Sequence, residues 1–342
     1  MKLLKGLGDF FALDIGTNAI RVVQLSGSGN NWTLQRYAYA PVDSKLSTSD
    51  SAEAQRRLGE VIMTALGQSG IRTRDVVIGL PSNKTFTTVV DVPMSSEAEL
   101  RASMKYQVDQ YIPGSAEEMK VDWALLGPSL RAQGQQEVLI TSVSQAYSEQ
   151  RLEFVESLGL NVIAAEPDPI AIVRALVPIG NQTAELLLDM GESSTDIAVV
   201  YGETPRLIRT IPTGLSSFVK AVTQNLNVQE DQARQFILKF GLAGQVLHAL
   251  ETTLDGFASE ITKSIKFFQT RYESVAINAT LLSGFAAIIP RFNEYLTAKT
   301  SVQAQSANPW QGVQVPQTAQ TQLAPVASEF ATAVGLAKRS AQ

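Results

Sequence analysis

One short unit occurs twice in this chain of 342 residues, and the repetition limits what the chain can fold into. The first copy, FALDIGTNAIRVVQL, begins at Phe11, and the second, LLLDMGESSTDIAVV, begins at Leu186. In each copy an apolar run containing Asp-x-Gly is followed by a small polar loop and a second apolar run, which is typical of a β-hairpin. Both hairpins continue through a turn to a third strand. We therefore expect two related lobes, each opening with a three-stranded meander.

The aspartate of the first copy, Asp14, lies inside an apolar strand, where an ionised carboxylate is costly unless it is paired or holds a cation. A lone Asp-x-Gly is usually a turn residue that accepts hydrogen bonds from backbone amides. The matching Asp189 favours a shared site, because loops with Gly16 and Gly191 let backbone amides approach phosphate oxygens. Two facing aspartates can also hold Mg²⁺ through its waters. Further donors in the loops are Thr17, Asn18, Ser193, Ser194 and Thr195.

The composition excludes several kinds of chemistry. The chain has no cysteine, so disulfides, thiolate nucleophiles and cysteine-ligated metals are excluded. Its one histidine, His248, lies in a helical pattern and leaves almost no material for Ser-His-Asp catalysis. The 28 basic and 33 acidic residues argue against nucleic-acid binding, which normally needs a basic excess. No stretch approaches the ~20 apolar residues that span a bilayer. The start, MKLLKGLGDFF, lacks a signal-peptide core, so we expect a cytoplasmic protein without direct membrane insertion.

The length and the repeat predict how the chain is divided. At 342 residues the chain exceeds the usual size of a single core, so two domains are expected. We predict a mixed α/β fold with a first lobe over residues 1–182 and a second lobe over residues 183–342. Strand and helix patterns place a small inserted subdomain at about residues 83–150 of the first lobe.

The second lobe is predicted to end in less regular structure. A helix is expected over residues 254–272. Residues 300–325, rich in Gln, Thr, Ala and Pro, are expected to form a long loop or loose hairpin anchored by Trp310. One small-residue helix at about residues 328–339 then closes the chain.

The paired hairpins resemble those of the actin-like ATPase superfamily, which includes actin, the 70-kDa heat-shock chaperones, sugar kinases and bacterial actin relatives. Within it the chain most resembles the PilM family, actin-like proteins of type IV pilus assembly. Besides the hairpins, the resemblance rests on VDQYIPGSAEEMKVDWALLG, RLIRTIPTG, EITKSIKFFQTRY, LLSGF and ATAVGLAKR, and it covers nearly the whole chain. It implies an actin-like (ribonuclease H-like) two-lobe fold, with a small subdomain inserted in the first lobe, around an ATP–Mg²⁺ cleft.

The resemblance also implies a nucleotide site. The residues expected to bind the nucleotide are Asp14, Gly16, Thr17, Asn18, Asp189, Gly191, Ser194, Thr195, Gly214, Glu260, Lys263, Ser283 and Gly284. Asp14 and Asp189 would hold Mg²⁺ through water. Glu260 and Lys263 would contact ribose and base, although an exposed i,i+3 ion pair explains their spacing equally well. Leu215 and Phe285 stand where relatives have glycine, so their side chains could crowd the adenosine pocket or stack on the base.

Other interpretations stay open. A small-molecule kinase of the same superfamily would need a base for its substrate hydroxyl. Asp168 is the best candidate, although its flanking prolines also suit a turn. A division-type actin relative would carry a C-terminal amphipathic membrane helix, which the ending GLAKRSAQ does not provide. A pseudo-ATPase scaffold would keep the fold without nucleotide. Any hydrolysis is expected to be slow, with Gln107 and Asp189 as candidate catalytic residues.

The function implied by the resemblance is partner binding rather than turnover. A PilM-like protein is expected to bind ATP or ADP with Mg²⁺. It would capture the cytoplasmic N-terminal peptide of an inner-membrane PilN-type protein in a groove between the first lobe and its insert. It would also contact the pilus motor ATPases or the platform protein. Such a module would lie at the inner face of the membrane through its partners; self-association is left open.

Overall fold

The structure, a computed structural model, describes residues 9–339. The first eight residues, most of the MKLLKGLGDFF start, and the last three lie outside the described residues. The strands are β1 (Phe11–Ile15), β2 (Ala19–Ser28), β3 (Asn31–Pro41), β4 (Asp75–Leu80), β5 (Thr85–Pro93), β6 (Met119–Pro128), β7 (Gln135–Ser144), β8 (Asn161–Pro167), β9 (Ala184–Met190), β10 (Thr195–Tyr201), β11 (Thr204–Ile211), β12 (Ile277–Gly284), β13 (Ala304–Ser306) and β14 (Val313–Gln314). The helices are α1 (Ser44–Ser47), α2 (Ala52–Ser69), α3 (Glu97–Gln107), α4 (Gln145–Ser157), α5 (Asp168–Leu176), α6 (Leu215–Leu226), α7 (Glu230–Phe240), α8 (Gly244–Arg271), α9 (Phe292–Thr300), α10 (Gln317–Leu323) and α11 (Ala331–Ala337).

Two large sheets repeat one arrangement. The six-stranded sheet has the order β14-β3-β2-β1-β4-β8, and the five-stranded sheet has the order β11-β10-β9-β12-β13. In each, three antiparallel strands form a meander, and the first strand of that meander pairs on its other side with a parallel strand, β4 or β12. The repeated sequence unit is therefore a repeated structural unit.

The helices form layers around these sheets. One face of the six-stranded sheet packs against α2 and α4, and one face of the five-stranded sheet packs against α6, α8 and α9. Between the two sheets lie α5 and α11, whose apolar residues share one core with both sheets. Burial on both faces explains the continuous apolar runs of the central strands, because no side of these strands meets water.

The segment predicted as an insert contains a third, separate sheet. Its order is β5-β7-β6, all antiparallel, and α3 covers one face. A small core of its own includes Val92, Leu100, Met104 and Ile140. A capping box at Ser96 fixes the start of α3, since this side chain and that of Glu99 satisfy each other's backbone amides. The lobe and insert limits predicted from the sequence stay predictions.

The C-terminal part differs from the sequence expectation in two respects. For residues 300–325 the sequence predicts a long loop or loose hairpin anchored by Trp310; they contain β13, β14 and the short helix α10, and Trp310 is buried. Within residues 183–342, the predicted second lobe, β14 pairs with β3 and α11 packs on α5 and the six-stranded sheet. The chain thus returns to its first sheet, because the apolar face of α11 fits between the sheets.

Candidate functional site

A cleft of about 360 Å³ separates the two meanders, and both Asp-x-Gly loops line it. The loops have matching geometry: the Gly16 amide donates to the Ala19 carbonyl at 3.1 Å, and the Gly191 amide donates to the Ser194 carbonyl at 2.8 Å. Small residues therefore bring the backbone of both loops to the same space. This is the arrangement that suits phosphate oxygens.

Asp14 does not stand alone in its strand. The Arg21 guanidinium donates to Asp14 Oδ2 at 3.2 Å, and it also forms an ion pair with Glu329. Asp14 and Arg21 are 7% and 6% exposed, and Tyr39 lies beside the guanidinium, 5.7 Å from ring centroid to Cζ. Burial raises the pKa of Asp14, while Arg21 opposes that rise. The charge of Asp14 is therefore compensated by an arginine of its own hairpin.

Arg21 and Glu329, which form ion pairs at the cleft, were not predicted as site residues from the sequence. The signal for Arg21 was present, because a hairpin that turns at residues 16–19 places position 14 directly opposite position 21. Glu329 lies 308 residues from Arg21 in sequence, so no local pattern could have indicated it.

Four further aspartates line the cleft: Asp50, which is exposed, and Asp168, Asp189 and Asp196. Burial raises the pKa of Asp189 to about 7. Burial, followed by the neighbouring charges of Asp14 and Asp196, raises the pKa of Asp168 well above its ordinary range. Burial also raises the pKa of Asp196, whose carboxylate accepts hydrogen bonds from Ser82 at 2.6 Å and Thr210 at 2.9 Å. The cleft thus concentrates negative charge that it only partly neutralises.

The donor set fits Mg²⁺ only if the ion arrives with other ligands. In residues 9–339 no group of three or more His, Asp or Glu side chains is placed to hold a metal by itself. Asp168 Oδ1, however, is buried without a hydrogen-bond partner among the described residues. Mg²⁺ keeps much of its water and often takes only one or two protein carboxylates beside phosphate oxygens. Asp189 and Asp14 could therefore contact a phosphate-bound, hydrated Mg²⁺, with Asp168 at the side.

Most of the remaining predicted residues lie at the cleft. Gly16, Thr17, Asn18, Gly191, Ser194 and Gly284 line it. The Thr195 hydroxyl is buried and donates to the Thr213 carbonyl at 2.7 Å, and the buried Ser283 hydroxyl donates to the Ser328 carbonyl at 3.1 Å. These two hydroxyls hold the loops in place.

Two glycines are required by close approach of the backbone. A Cβ at Gly214 would lie 2.5 Å from the Glu192 carbonyl oxygen in the second loop. Gly284 has a φ of +61°, and a Cβ there would lie 2.3 Å from the Met190 carbonyl oxygen. Both positions let neighbouring segments close on the second hairpin.

Besides Thr195, Gly214 and Ser283, which are next to residues of the lining, three predicted residues are not brought into the cleft. Gln107 lies on the exposed end of α3 in the insert. Glu260 and Lys263 on α8 pair with each other at 2.6 Å, and Glu260 also accepts from Arg209 at 3.2 Å. None of the three belongs to the residues that line the cleft within the described range. The ion-pair interpretation of Glu260 and Lys263 therefore describes their contacts, and a role toward ribose and base stays a prediction.

The two positions that lack glycine behave differently. Leu215 is fully buried at the start of α6 and belongs to the core of the five-stranded sheet, pointing away from the cleft. Phe285 is 6% exposed, packs on that core and also lines the cleft beside Gly284. Only Phe285 is therefore placed to stack on, or to restrict, a bound base.

A second cavity, of about 370 Å³, lies between the insert sheet and the six-stranded sheet. Strand β6, at the edge of the insert sheet, supplies Lys120 and Ala124 to one wall, beside Leu139 of β7. The other wall comes from Leu80, Pro167 and Ile170. We call this cavity the groove. About half of its lining is apolar and its charged groups are balanced, since Lys120 pairs with Glu149 and Arg339 with Glu166, which suits an extended peptide with apolar side chains.

A search of the helices over residues 9–339 finds none that is both long enough and apolar enough to cross a membrane. His248, the single histidine, is exposed on α8 and lies 3.8 Å from Glu251.

Comparisons with known proteins agree with this architecture. The sequence model of the family described as "Type IV pilus assembly protein PilM" matches residues 12–341. Among solved structures, a PilM-PilN type IV pilus biogenesis complex is similar with a TM-score of 0.82 and 24% identity, covering 96% of this chain and 98% of that chain.

Two further solved structures share the fold at lower similarity. The ethanolamine utilization protein EutJ from Carboxydothermus hydrogenoformans has a TM-score of 0.56 and 15% identity, over 96% of this chain and 88% of that one. MreB5 of Spiroplasma citri bound to AMPPNP has a TM-score of 0.53 and 11% identity, over 97% and 95%. The α/β, actin-like fold expected from the sequence is confirmed.

Proposed function

The chain belongs to the type IV pilus assembly protein PilM family, and from that premise we propose that it is a nucleotide-binding scaffold. In this proposal the cleft holds Mg–ATP or Mg–ADP, and the groove holds the cytoplasmic N-terminal peptide of an inner-membrane PilN-type partner. The similar PilM-PilN complex supports the choice of partner, and the AMPPNP-bound MreB5 supports the choice of ligand. Contact with the pilus motor or platform belongs to the same proposal.

The groove is the observation that carries the scaffold role. It is large enough for several side chains of a peptide, and Ala124, Leu139 and Ile170 present apolar side chains to it. Its position beside the edge strand β6 would allow a bound peptide to pair with free backbone groups of that strand. A partner held there would bring the protein to the inner face of the membrane.

The cleft supplies the nucleotide half of the proposal. Backbone amides of the two loops and the Arg21 guanidinium would bind phosphate oxygens, and Asp189 would orient the waters of Mg²⁺. The ion supplies positive charge that offsets the phosphates and the cleft carboxylates. Asp168 could hold a water near the terminal phosphate, so slow hydrolysis is compatible with the site; fast turnover is no part of the proposal.

A second candidate, a scaffold without nucleotide, is favoured by one contact. Arg21, the cation nearest the first loop, is already paired with both Asp14 and Glu329. A phosphate would have to compete with two carboxylates for this guanidinium. Calorimetric titration with Mg–ATP separates the two candidates.

Peptide binding tests the scaffold role directly. A synthetic peptide with the sequence of the partner's cytoplasmic N-terminal segment is titrated calorimetrically into wild-type protein, Leu139→Ala and Tyr106→Ala. We expect a loss of affinity on the order of tenfold for Leu139→Ala, because a peptide in the groove would bury this partly exposed side chain.

Tyr106 is the matched control, since it lies in the same insert but is 79% exposed on α3, away from the groove. Tyr106→Ala should bind as wild type does. Equal affinities of Leu139→Ala and wild type would place the peptide elsewhere on the protein.

A further inference from the structure

The insert sheet is joined to the five-stranded sheet by a buried ion pair. Glu137 of β7 is fully buried and pairs with Arg206 of β11, which is 7% exposed. Tyr272, just after α8, donates a hydrogen bond to Glu137 Oε1 at 2.7 Å. Buried charges are costly without their partners. These three residues therefore favour one arrangement of the insert against the second lobe.

Other contacts act in the same direction. Arg271 donates to the Val89 carbonyl at 2.5 Å, which links the end of α8 to β5. Leu130, in the turn between β6 and β7, packs against the core of the five-stranded sheet. Ser82, where the chain enters the insert, donates to Asp196 Oδ2 at 2.6 Å, and Asp196 lines the nucleotide cleft. The insert thus contacts the second lobe from the cleft to the far end of its sheet.

The insert sheet and α3, residues 85–144, contact the first lobe, including α4, differently. Lys120 and Glu149 form an ion pair at 3.4 Å, but their side chains are 45% and 48% exposed. Pairs so exposed to water contribute little. The amide of Gln145 donates to the Glu118 carbonyl at 2.9 Å, where the chain leaves the insert. Between the insert and the first sheet lies the groove itself, so this boundary is open where the other one is packed.

We propose that the insert moves as one body with the second lobe, so that a change in lobe arrangement about the cleft changes the width of the groove. This inference rests on the proposed function of the cleft and the groove. One wall of the groove is fixed to the first sheet and the other to the second lobe. A nucleotide that favours one lobe arrangement then favours one groove width, and nucleotide and peptide alter each other's affinity by the same factor.

Distances between spin labels test this proposal, and the absence of native cysteine allows clean labelling. Cysteines are introduced in pairs from three exposed positions: Tyr106→Cys in the insert, His248→Cys on α8 and Arg57→Cys on α2. Distances are measured in full-length protein without ligand, with Mg–AMPPNP, and with the partner's N-terminal peptide. Calorimetry on the same samples shows which ligand is bound.

The insert-to-second-lobe distance, 106–248, should be narrowly distributed without ligand and should stay unchanged when either ligand binds. The distances 106–57 and 248–57 should shift together. A 106–248 distribution broader than that of 106–57 in the ligand-free protein would overturn the proposal. So would a 106–248 shift larger than the 106–57 shift, or the absence of any shift with ligand bound. Failure of both ligands to bind counts against the proposed function, and the ligand-free widths still decide this proposal.

A pair of variants checks the contacts responsible. Glu137→Gln should broaden the 106–248 distribution, whereas Glu149→Gln, which removes only the exposed pair on the other side, should leave it as in wild type. A broadening by Glu149→Gln alone would assign the insert to the first lobe. If Glu137→Gln does not fold, the wild-type distances and Glu149→Gln decide the question.

Discussion

Ionisation of the buried aspartates in the cleft lowers the stability of the ligand-free protein. Burial raises the pKa values of Asp14, Asp168, Asp189 and Asp196. The Arg21 guanidinium lowers those of Asp14 and Asp189, and Arg151 lowers those of Asp14 and Asp168, without cancelling the rise. Sites that bind a cation with phosphate commonly show such uncompensated charge. This negative charge predicts how the stability of the ligand-free protein depends on pH.

Asp189→Asn should stabilise the ligand-free protein at pH 8 and have little effect at pH 4. The pKa of Asp189 is raised from 3.8 to about 7, so the folded state binds its proton more tightly than the unfolded state does. The cost of ionisation is therefore absent below about pH 4, grows up to about pH 7 and is constant above it. With about 1.4 kcal/mol per pKa unit, the expected gain at pH 8 is on the order of 4 kcal/mol. Urea unfolding of both proteins at the two pH values measures it.

Asp255→Asn is the control for this prediction. Asp255 is exposed, and hydrogen bonds from Lys299 and Tyr295 hold its pKa below the usual range. Its replacement should not stabilise the protein at either pH. A loss of stability in Asp189→Asn at pH 8 would mean that the carboxylate is compensated in the empty cleft.

At single positions the repeat marks Asp14, Gly16, Asp189 and Gly191, and the structure brings all four to the cleft. Their role toward a nucleotide stays a prediction. Contacts between distant segments were not predictable: the bond between Ser82 and Asp196 joins residues 114 apart. The register of the first hairpin, which pairs Asp14 with Arg21, was predictable from the position of its turn.

The packing of α5 on α11 depends on a glycine at their crossing. A Cβ at Gly335 would lie 1.8 Å from the Ala171 carbonyl oxygen and 2.4 Å from the carbonyl carbon. Backbone of α5 cannot yield without disturbing the core shared by both sheets. Gly335→Ala should therefore destabilise the protein by about 3 kcal/mol or more, as overpacking does. Chemical unfolding followed by circular dichroism measures the change.

Gly256→Ala is the matched control, because Gly256 lies in α8 with no heavy atom within 4 Å of an added Cβ. Alanine favours the helix over glycine, so this variant should gain up to about 1 kcal/mol. Equal stability of Gly335→Ala and wild type would show that the two helices do not pack this closely.

Helices and strands were predictable where their periodicity is strong. The two repeated hairpins, β1–β2 and β9–β10, form where the repeat predicts them. Helix α8 begins at Gly244, ten residues before the predicted start at Leu254, although Val246, Ala249 and Leu250 continue its buried face. Helix α10 has few apolar residues, so its composition suggested a loop; the burial of Leu323 explains why it forms.

The assembled protein encloses α5 and α11 between two sheets that share a core and face each other across the cleft. Repeat and length predicted this two-sheet plan. The return of β14 and α11 to the first sheet was not predictable, because it depends on which apolar surface remains open after both sheets have formed. The cleft and the groove both follow from this plan. The proposed function depends most on nucleotide binding in the cleft.

Calorimetric titration of ATP at pH 8, with Mg²⁺ and with EDTA, into wild-type protein and Asp189→Asn tests that dependence most directly. We predict saturable binding to wild type that requires Mg²⁺. In Asp189→Asn the Mg-dependent binding should be weaker by on the order of 1–3 kcal/mol, because a charged partner of the hydrated ion is lost. No binding to wild type at millimolar ATP, or binding that is the same with EDTA and in Asp189→Asn, would contradict the account and leave a scaffold without nucleotide.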